Sequence, residues 1–201
     1  MTKLRAHEGF TIIELLIATT VFSLFLLLLS AVTLRIGRLY SKGVISTKTQ
    51  EAARSITNDI AKSIQFSGSD VKSGPNYICA GAKRFMFKSG LQLIDNGVLT
   101  ADQTSHVLIS DTPALCPGTI SSFGALSAGQ RELMPSRMRL ANLTISPATG
   151  SSGLFTINIR VVYGDFDLLS NPNAPNASCK PNIGTEFCSV SDLTTTVQKR
   201  L

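Results

Sequence analysis

Glu14 is the single charged residue between Phe10 and Leu34. A carboxylate at the head of such an apolar stretch is costly to place and is usually functional. A helix N-terminus also tolerates a negative charge for its own sake. The cysteines Cys79, Cys116, Cys179 and Cys188 form the second reactive group. None belongs to a Cys-x-x-Cys pair, and His106 is the only histidine beyond residue 9. Zinc ligation is therefore not supported. If the domain that carries them is exported, an even set of cysteines reads as two disulfides. Four cysteines allow three pairings, and proximity in sequence favours Cys179–Cys188 with Cys79–Cys116. Asp165, Asp167, Asn171 and Asn173 offer oxygen atoms to a calcium ion, with Asp165 and Asp167 the best candidates. The EF-hand pattern is absent and Leu168-Leu169 interrupts the run, so loop polarity explains them and no metal is expected. Ser69-Asp70-Val71-Lys72 has Ser-x-x-Lys spacing without a supporting Ser-Asp-Asn element, and a Ser-His-Asp set would depend on His106 alone. No P-loop, nucleophile elbow or dinucleotide fingerprint occurs. The chain reads as no enzyme and as needing no cofactor.

The element that positions Glu14 is an apolar segment. Leu15 to Leu34 is twenty residues without a charge. As a helix it spans about 30 Å, the thickness of a bilayer core. A buried core helix is rarely apolar all round over this length. An ordinary secretory signal would put a small-residue cleavage site after the run, and Ser30-Ala31-Val32 fits one poorly. Before the run stands a short leader, Met1–Gly9, carrying Lys3 and Arg5, and then Gly9-Phe10-Thr11-Ile12-Ile13-Glu14.

Gly9-Phe10-Thr11-Ile12-Ile13-Glu14-Leu15-Leu16-Ile17-Ala18 resembles the class III signal of type IV prepilins and pseudopilins. The resemblance implies cleavage by prepilin peptidase between Gly9 and Phe10 and N-methylation of the new Phe10 amine. It also implies that Glu14, one helical turn from that amine, guides docking against neighbouring subunits. It is strong from Gly9 to about Leu29. Around residues 50–65 and in the tail 188–201, with Thr194-Thr195-Thr196-Val197, the chain looks more like PilW-type minor pilins or J-type minor pseudopilins than like shaft subunits. Abundant pilins often carry a helix-breaking proline where this chain has Ala31. The implied partners are prepilin peptidase, other pilins or pseudopilins, an inner-membrane assembly platform and membrane lipid. The implied location is the bacterial inner membrane, single-pass with the globular part outside the cytoplasm, then a periplasmic or extracellular filament. Charge counting opposes that orientation: Arg35, Arg38, Lys42 and Lys48 follow the segment and only Lys3 and Arg5 precede it. The resemblance, which implies a cytoplasmic N-terminus, is given precedence.

The net charge is +6, with no run of five Lys or Arg, so nucleic-acid binding is not signalled. The alternative function is a pilin-like adhesin or DNA-uptake subunit, whose best basic residues are Arg131, Arg137 and Arg139. The expected fold is α+β and pilin-like, a long N-terminal helix on an antiparallel β-sheet domain. The expected divisions are a leader at 1–9, a transmembrane and assembly helix at 10–34, an amphipathic continuation at 35–66 and a β-rich domain at 67–201.

In the continuation, Ala52, Ala53, Ile56, Ile60 and Ile64 recur at steps of three and four, one apolar stripe. Glu51/Arg54 and Asp59/Lys62 are spaced for ion pairs, and Gly37 and Gly43 weaken the helix. Turn residues at 67–70 and 73–76 end it. Arg84–Lys88 and Leu91–Asp95, separated by Ser89-Gly90, read as a hairpin, with Asp95-Asn96-Gly97 as a further turn. His106–Ser110, Arg139–Ile145, Leu154–Tyr163 and Leu193–Val197 are strand candidates, and 171–176 is a Pro/Asn loop.

Overall fold

The computed structural model describes residues 10–68, 70–94, 99–113, 115–116, 126–148, 153–181 and 184–200. The leader with Gly9, Ser69 of the Ser-x-x-Lys spacing and the Asp95-Asn96-Gly97 turn lie outside the described residues. Two compact units are distinguished, Met1–Tyr40 and Ser41–Leu201, and the helix α1 (Ile12–Gln65) contributes to both. Among the described residues the strands are β1 (Lys72–Gly74), β2 (Tyr77–Ala80), β3 (Lys83–Phe87), β4 (Gln92–Leu93), β5 (Gln103–Thr104), β6 (Leu108–Asp111), β7 (Arg131–Glu132), β8 (Met138–Pro147), β9 (Leu154–Tyr163), β10 (Leu169–Ser170), β11 (Ser178–Cys179) and β12 (Ser189–Gln198). The architecture is α+β and pilin-like: one long N-terminal helix with antiparallel sheets.

Within the second unit, α1 buries one stripe, Ala52, Ala53, Ile56, Ile60 and Ile64. Each isoleucine removed from water contributes about 1.5–3 kcal/mol. Thr49 and Thr57 are buried on the same helix, where their hydroxyls donate to the carbonyls of Ile45 and Ala53. That local bond is why a polar residue can sit under the sheet. The helix runs through Gly37 and Gly43. Its end is closed by partners for its last carbonyls: Ser67 Oγ donates to Ile64 at 2.9 Å, and the backbone N–H of Arg200 donates to Gln65 at 2.9 Å. The ion pairs differ from those the spacing offers. Asp59 takes Lys83 at 3.1 Å rather than Lys62, and among the described residues no ion pair joins Glu51 to Arg54.

The antiparallel sheet expected from the strand candidates is divided in two. One five-stranded sheet has the order β1-β2-β3-β6-β7 and the other β12-β9-β8-β4-β5, with a separate β10-β11 pair. All pairings are antiparallel except β4 with β5. Side chains from both five-stranded sheets, among them Phe85, Leu108, Leu140, Ile157 and Ile159, share one core with the helix stripe. The hairpin expected across Ser89-Gly90 does not form. β3 pairs with β2 and β6, whereas β4 pairs with β8 and β5. Gly90 adopts φ 84°, and its N–H donates to Leu140 in the second sheet, while Lys88 N–H donates to Val107 beside the first. Those two residues carry the chain from one sheet to the other.

β9 is the strand whose alternation is cleanest, and it pairs with β12 over ten consecutive residues. β8 is less regular. Its register on β9 shifts between Leu140 and Asn142, so Ala141 is an extra residue, a β-bulge. The inward positions consequently change phase, from Met138 and Leu140 to Leu143 and Ile145. Ala141 instead joins Val162, Leu169, Ala177 and Cys188 in a smaller apolar cluster.

Candidate processing and assembly segment

α1 begins with a reciprocal cap. Thr11 precedes the first helical residue, and its carbonyl accepts from Leu15 N–H at 3.2 Å. Its hydroxyl accepts from Glu14 N–H at 3.3 Å. Glu14 answers through Oε2, which accepts from Thr11 N–H at 3.0 Å and from the Thr11 hydroxyl at 2.9 Å. Thr-x-x-Glu is a capping box: each side chain satisfies a backbone N–H that the first turn leaves without a helical partner. The carboxylate also lies at the positive end of the helix dipole. Reading Glu14 only as a group waiting for an amine misses Thr11, although the Thr11-x-x-Glu14 spacing before an apolar run is the signal for it.

Beyond this cap and as far as Leu34 the helix is apolar on every side. Phe10 and Ile12 are each 82% exposed, and Phe22, Phe25, Leu27 and Leu28 are exposed as well. The helix is long and apolar enough to cross a membrane. Its few hydroxyls are satisfied internally. Thr19 and Thr20 donate to the carbonyls of Leu16 and Ile17, and Ser23, Ser30 and Thr33 to those of Thr19, Leu26 and Leu29, all at 2.8–3.0 Å. No hydroxyl of this set needs water, which suits a hydrocarbon surrounding. Phe10, Glu14, Ala18, Val21, Phe25 and Leu29 follow one another at steps of three and four around a shallow recess. Glu14 is the polar end of that face.

The other candidates have structural partners. Cys79 is bonded to Cys116 and Cys179 to Cys188, with Cα–Cα separations of 6.3 and 5.9 Å. Asp165 faces Arg137 at 3.4 Å and accepts from Gln92 Nε2 at 3.3 Å. The Asp167 backbone carbonyl takes the Lys180 ammonium at 2.8 Å. Among the described residues no three His, Cys, Asp or Glu side chains are grouped to hold a metal. His106 lies before β6 rather than in a strand. Its Nδ1 is 3.3 Å from Glu132 Oε2, without hydrogen-bond geometry. Glu132 is already committed to the backbone N–H groups of Val107, Leu108 and Met134 at 3.0–3.1 Å. It anchors a turn and is poorly placed to act as a base.

The basic residues Arg131, Arg137 and Arg139 do not make a surface stripe, because Arg139 is wholly buried. Its Nη1 donates to Gly90 O at 3.2 Å and Pro172 O at 3.3 Å. Burial pulls its pKa below the ordinary arginine value, against the opposing influence of Asp102 and Asp165. Arg139 thus holds the 171–176 loop against the crossing at Gly90. An arginine flanked by Met138 and Leu140 in an alternating strand gives no sequence sign of this, since the opposite face of such a strand ordinarily meets solvent.

Residues 4–30 match the family described as the prokaryotic N-terminal methylation motif. The match covers the capped N-terminus and most of the exposed apolar helix. It supports a type IV pilin-like or pseudopilin-like protein, and the motif implies processing by prepilin peptidase and assembly with other pilins. With the long apolar helix it suggests a membrane-anchored, filament-forming, structural protein. No curated protein and no solved structure gives a match.

Proposed function

We propose that this chain is a minor pilin or minor pseudopilin of the PilW or J-type group. Prepilin peptidase cleaves it between Gly9 and Phe10, and the Phe10 amine is methylated. The segment 10–34 holds it in the inner membrane, with residues 67–201 outside the cytoplasm and 35–66 linking them. The assembly platform then passes it into a type IV pilus or type II secretion-like filament. The observation that carries the reading is Glu14, the only charge in the apolar stretch 10–34, which no other described residue of the chain covers. Lipid covers such a helix before assembly and other pilin helices cover it afterwards, and a carboxylate among them needs an amine. The minor role rests on Ala31, which stands in uninterrupted helix where shaft pilins often have proline. The function is structural, with no catalysis. Cell fractionation tests it: the mature chain belongs in sheared filaments together with other pilins. Finding it only in the membrane while filaments form would refute the reading.

A further inference from the structure

We infer that residues Asp192–Gln198 of β12 form a docking edge for the same segment of a second copy of this chain, paired antiparallel about Thr195. β12 closes one side of its sheet, and among the described residues no strand lies beyond it. The other sheet edges are short: β1 has three residues, and β5 and β7 two each. β12 has ten, all in unbroken register with β9. Exposed edges are normally blunted by lysine, proline or a bulge, and β12 has none of these. Its one charge, Asp192, is neutralised by Arg160 of its own chain at 2.6 Å.

The occupant follows from the order of residues. Asp192-Leu193-Thr194-Thr195-Thr196-Val197-Gln198 is nearly symmetric about Thr195. With Thr195 opposite its counterpart, Leu193 meets Val197, Thr194 meets Thr196 and Asp192 meets Gln198. Leu193 and Val197 both face the core and Thr194 and Thr196 are both exposed, so every pair shares a face, as the pleat demands. Apolar and Thr–Thr cross-strand pairs are stabilising, and no like charges meet. A slip by one residue opposes inward to outward positions, and a slip by two can leave Leu193 opposite threonine. A two-fold contact of this kind is self-complementary. The inference does not depend on the filament reading.

The test uses two tagged full-length copies in bacterial membranes, one Thr194→Cys and one Thr196→Cys. The four native cysteines are bonded, which leaves the introduced thiols as the reactive ones. Opposed Cα atoms lie about 4.5–5.5 Å apart in such a pair, within disulfide reach. Oxidation is expected to give mixed dimers in several-fold excess over either variant alone. A Thr194→Lys/Thr196→Lys chain, which sets lysine against lysine, is expected to lose the dimer in mild detergent while keeping its non-reducing mobility. Absence of the mixed dimer, equal yields from single variants, cross-linking only to another protein, or a dimer indifferent to the lysines would each overturn the inference.

Discussion

Thr11 and Glu14 cap the helix as a pair: one oxygen of Glu14 takes both the N–H and the hydroxyl of Thr11, at 3.0 and 2.9 Å. Among the described residues nothing bonds to the other oxygen, Oε1. One carboxylate can therefore close its own helix and still meet a neighbour's amine. Capping and assembly make different demands on it, and substitutions separate them.

Glu14→Gln keeps a side chain that can complete a capping box but removes the charge. Glu14→Ala removes both. The proposed function predicts that both variants are cleaved, that both keep the β-rich unit folded, and that both are poorly incorporated into filaments. Comparing membrane and sheared-filament fractions at matched expression measures this. Wild-type incorporation of Glu14→Gln would make Glu14 a helix cap and nothing more.

Arg139→Ala is expected to destabilise the folded chain by roughly 1–3 kcal/mol, because it leaves the Gly90 and Pro172 carbonyls without this donor, while it also removes the buried Nε and Nη2, which have no partner among the described residues. Arg139→Met restores much of the volume and should cost less. Denaturant midpoints of the detergent-extracted chain check both. An Arg139→Ala variant as stable as the parent would mean that the buried guanidinium contributes nothing.

Gly90→Ala should also destabilise, and through backbone rather than packing. Its φ of 84° disfavours a Cβ, and an added Cβ would lie 2.9 and 3.0 Å from Asn173 backbone atoms. Neither contact can be relieved by turning a side chain. The effect is expected to exceed about 1 kcal/mol, and a melting temperature equal to wild type would contradict it.

Replacing Cys179 and Cys188 by serine should loosen the C-terminal loop and cost on the order of 2–3 kcal/mol. The bond sits against the smaller apolar cluster around Val162 and Leu169. Non-reducing peptide mapping is expected to return Cys179–Cys188 and Cys79–Cys116 peptides. A Cys116–Cys179 peptide would contradict the pairing.

The parts of this fold that were legible in the sequence are those with one uninterrupted period. Ile56, Ile60 and Ile64 mark the buried helix face at a step of four, and Phe155 to Val161 marks β9 by simple alternation. The sheet division was not legible, because Ser89-Gly90 carries the same turn chemistry whether it closes a hairpin or crosses between sheets. Only the distant acceptors at Val107 and Leu140 decide the matter. The bulge at Ala141 shifts the phase of β8, which no fixed period anticipates. Arg139 is buried by a loop more than thirty residues away in sequence. In the candidate site, Glu14 and the apolar run stood out by composition, whereas the role of Thr11 depended on reading the spacing as a cap.

The most direct test of the proposed function is the intact mass of the membrane-extracted protein, with a Gly9→Val variant alongside. The wild-type chain is expected to begin at Phe10 and to carry one added methyl group. The Gly9→Val chain is expected to retain Met1–Gly9, because a branched side chain does not fit where the peptidase takes a small residue. A wild-type protein that keeps its first nine residues in cells with active prepilin peptidase would contradict the proposed function, as would a Gly9→Val chain processed to normal size.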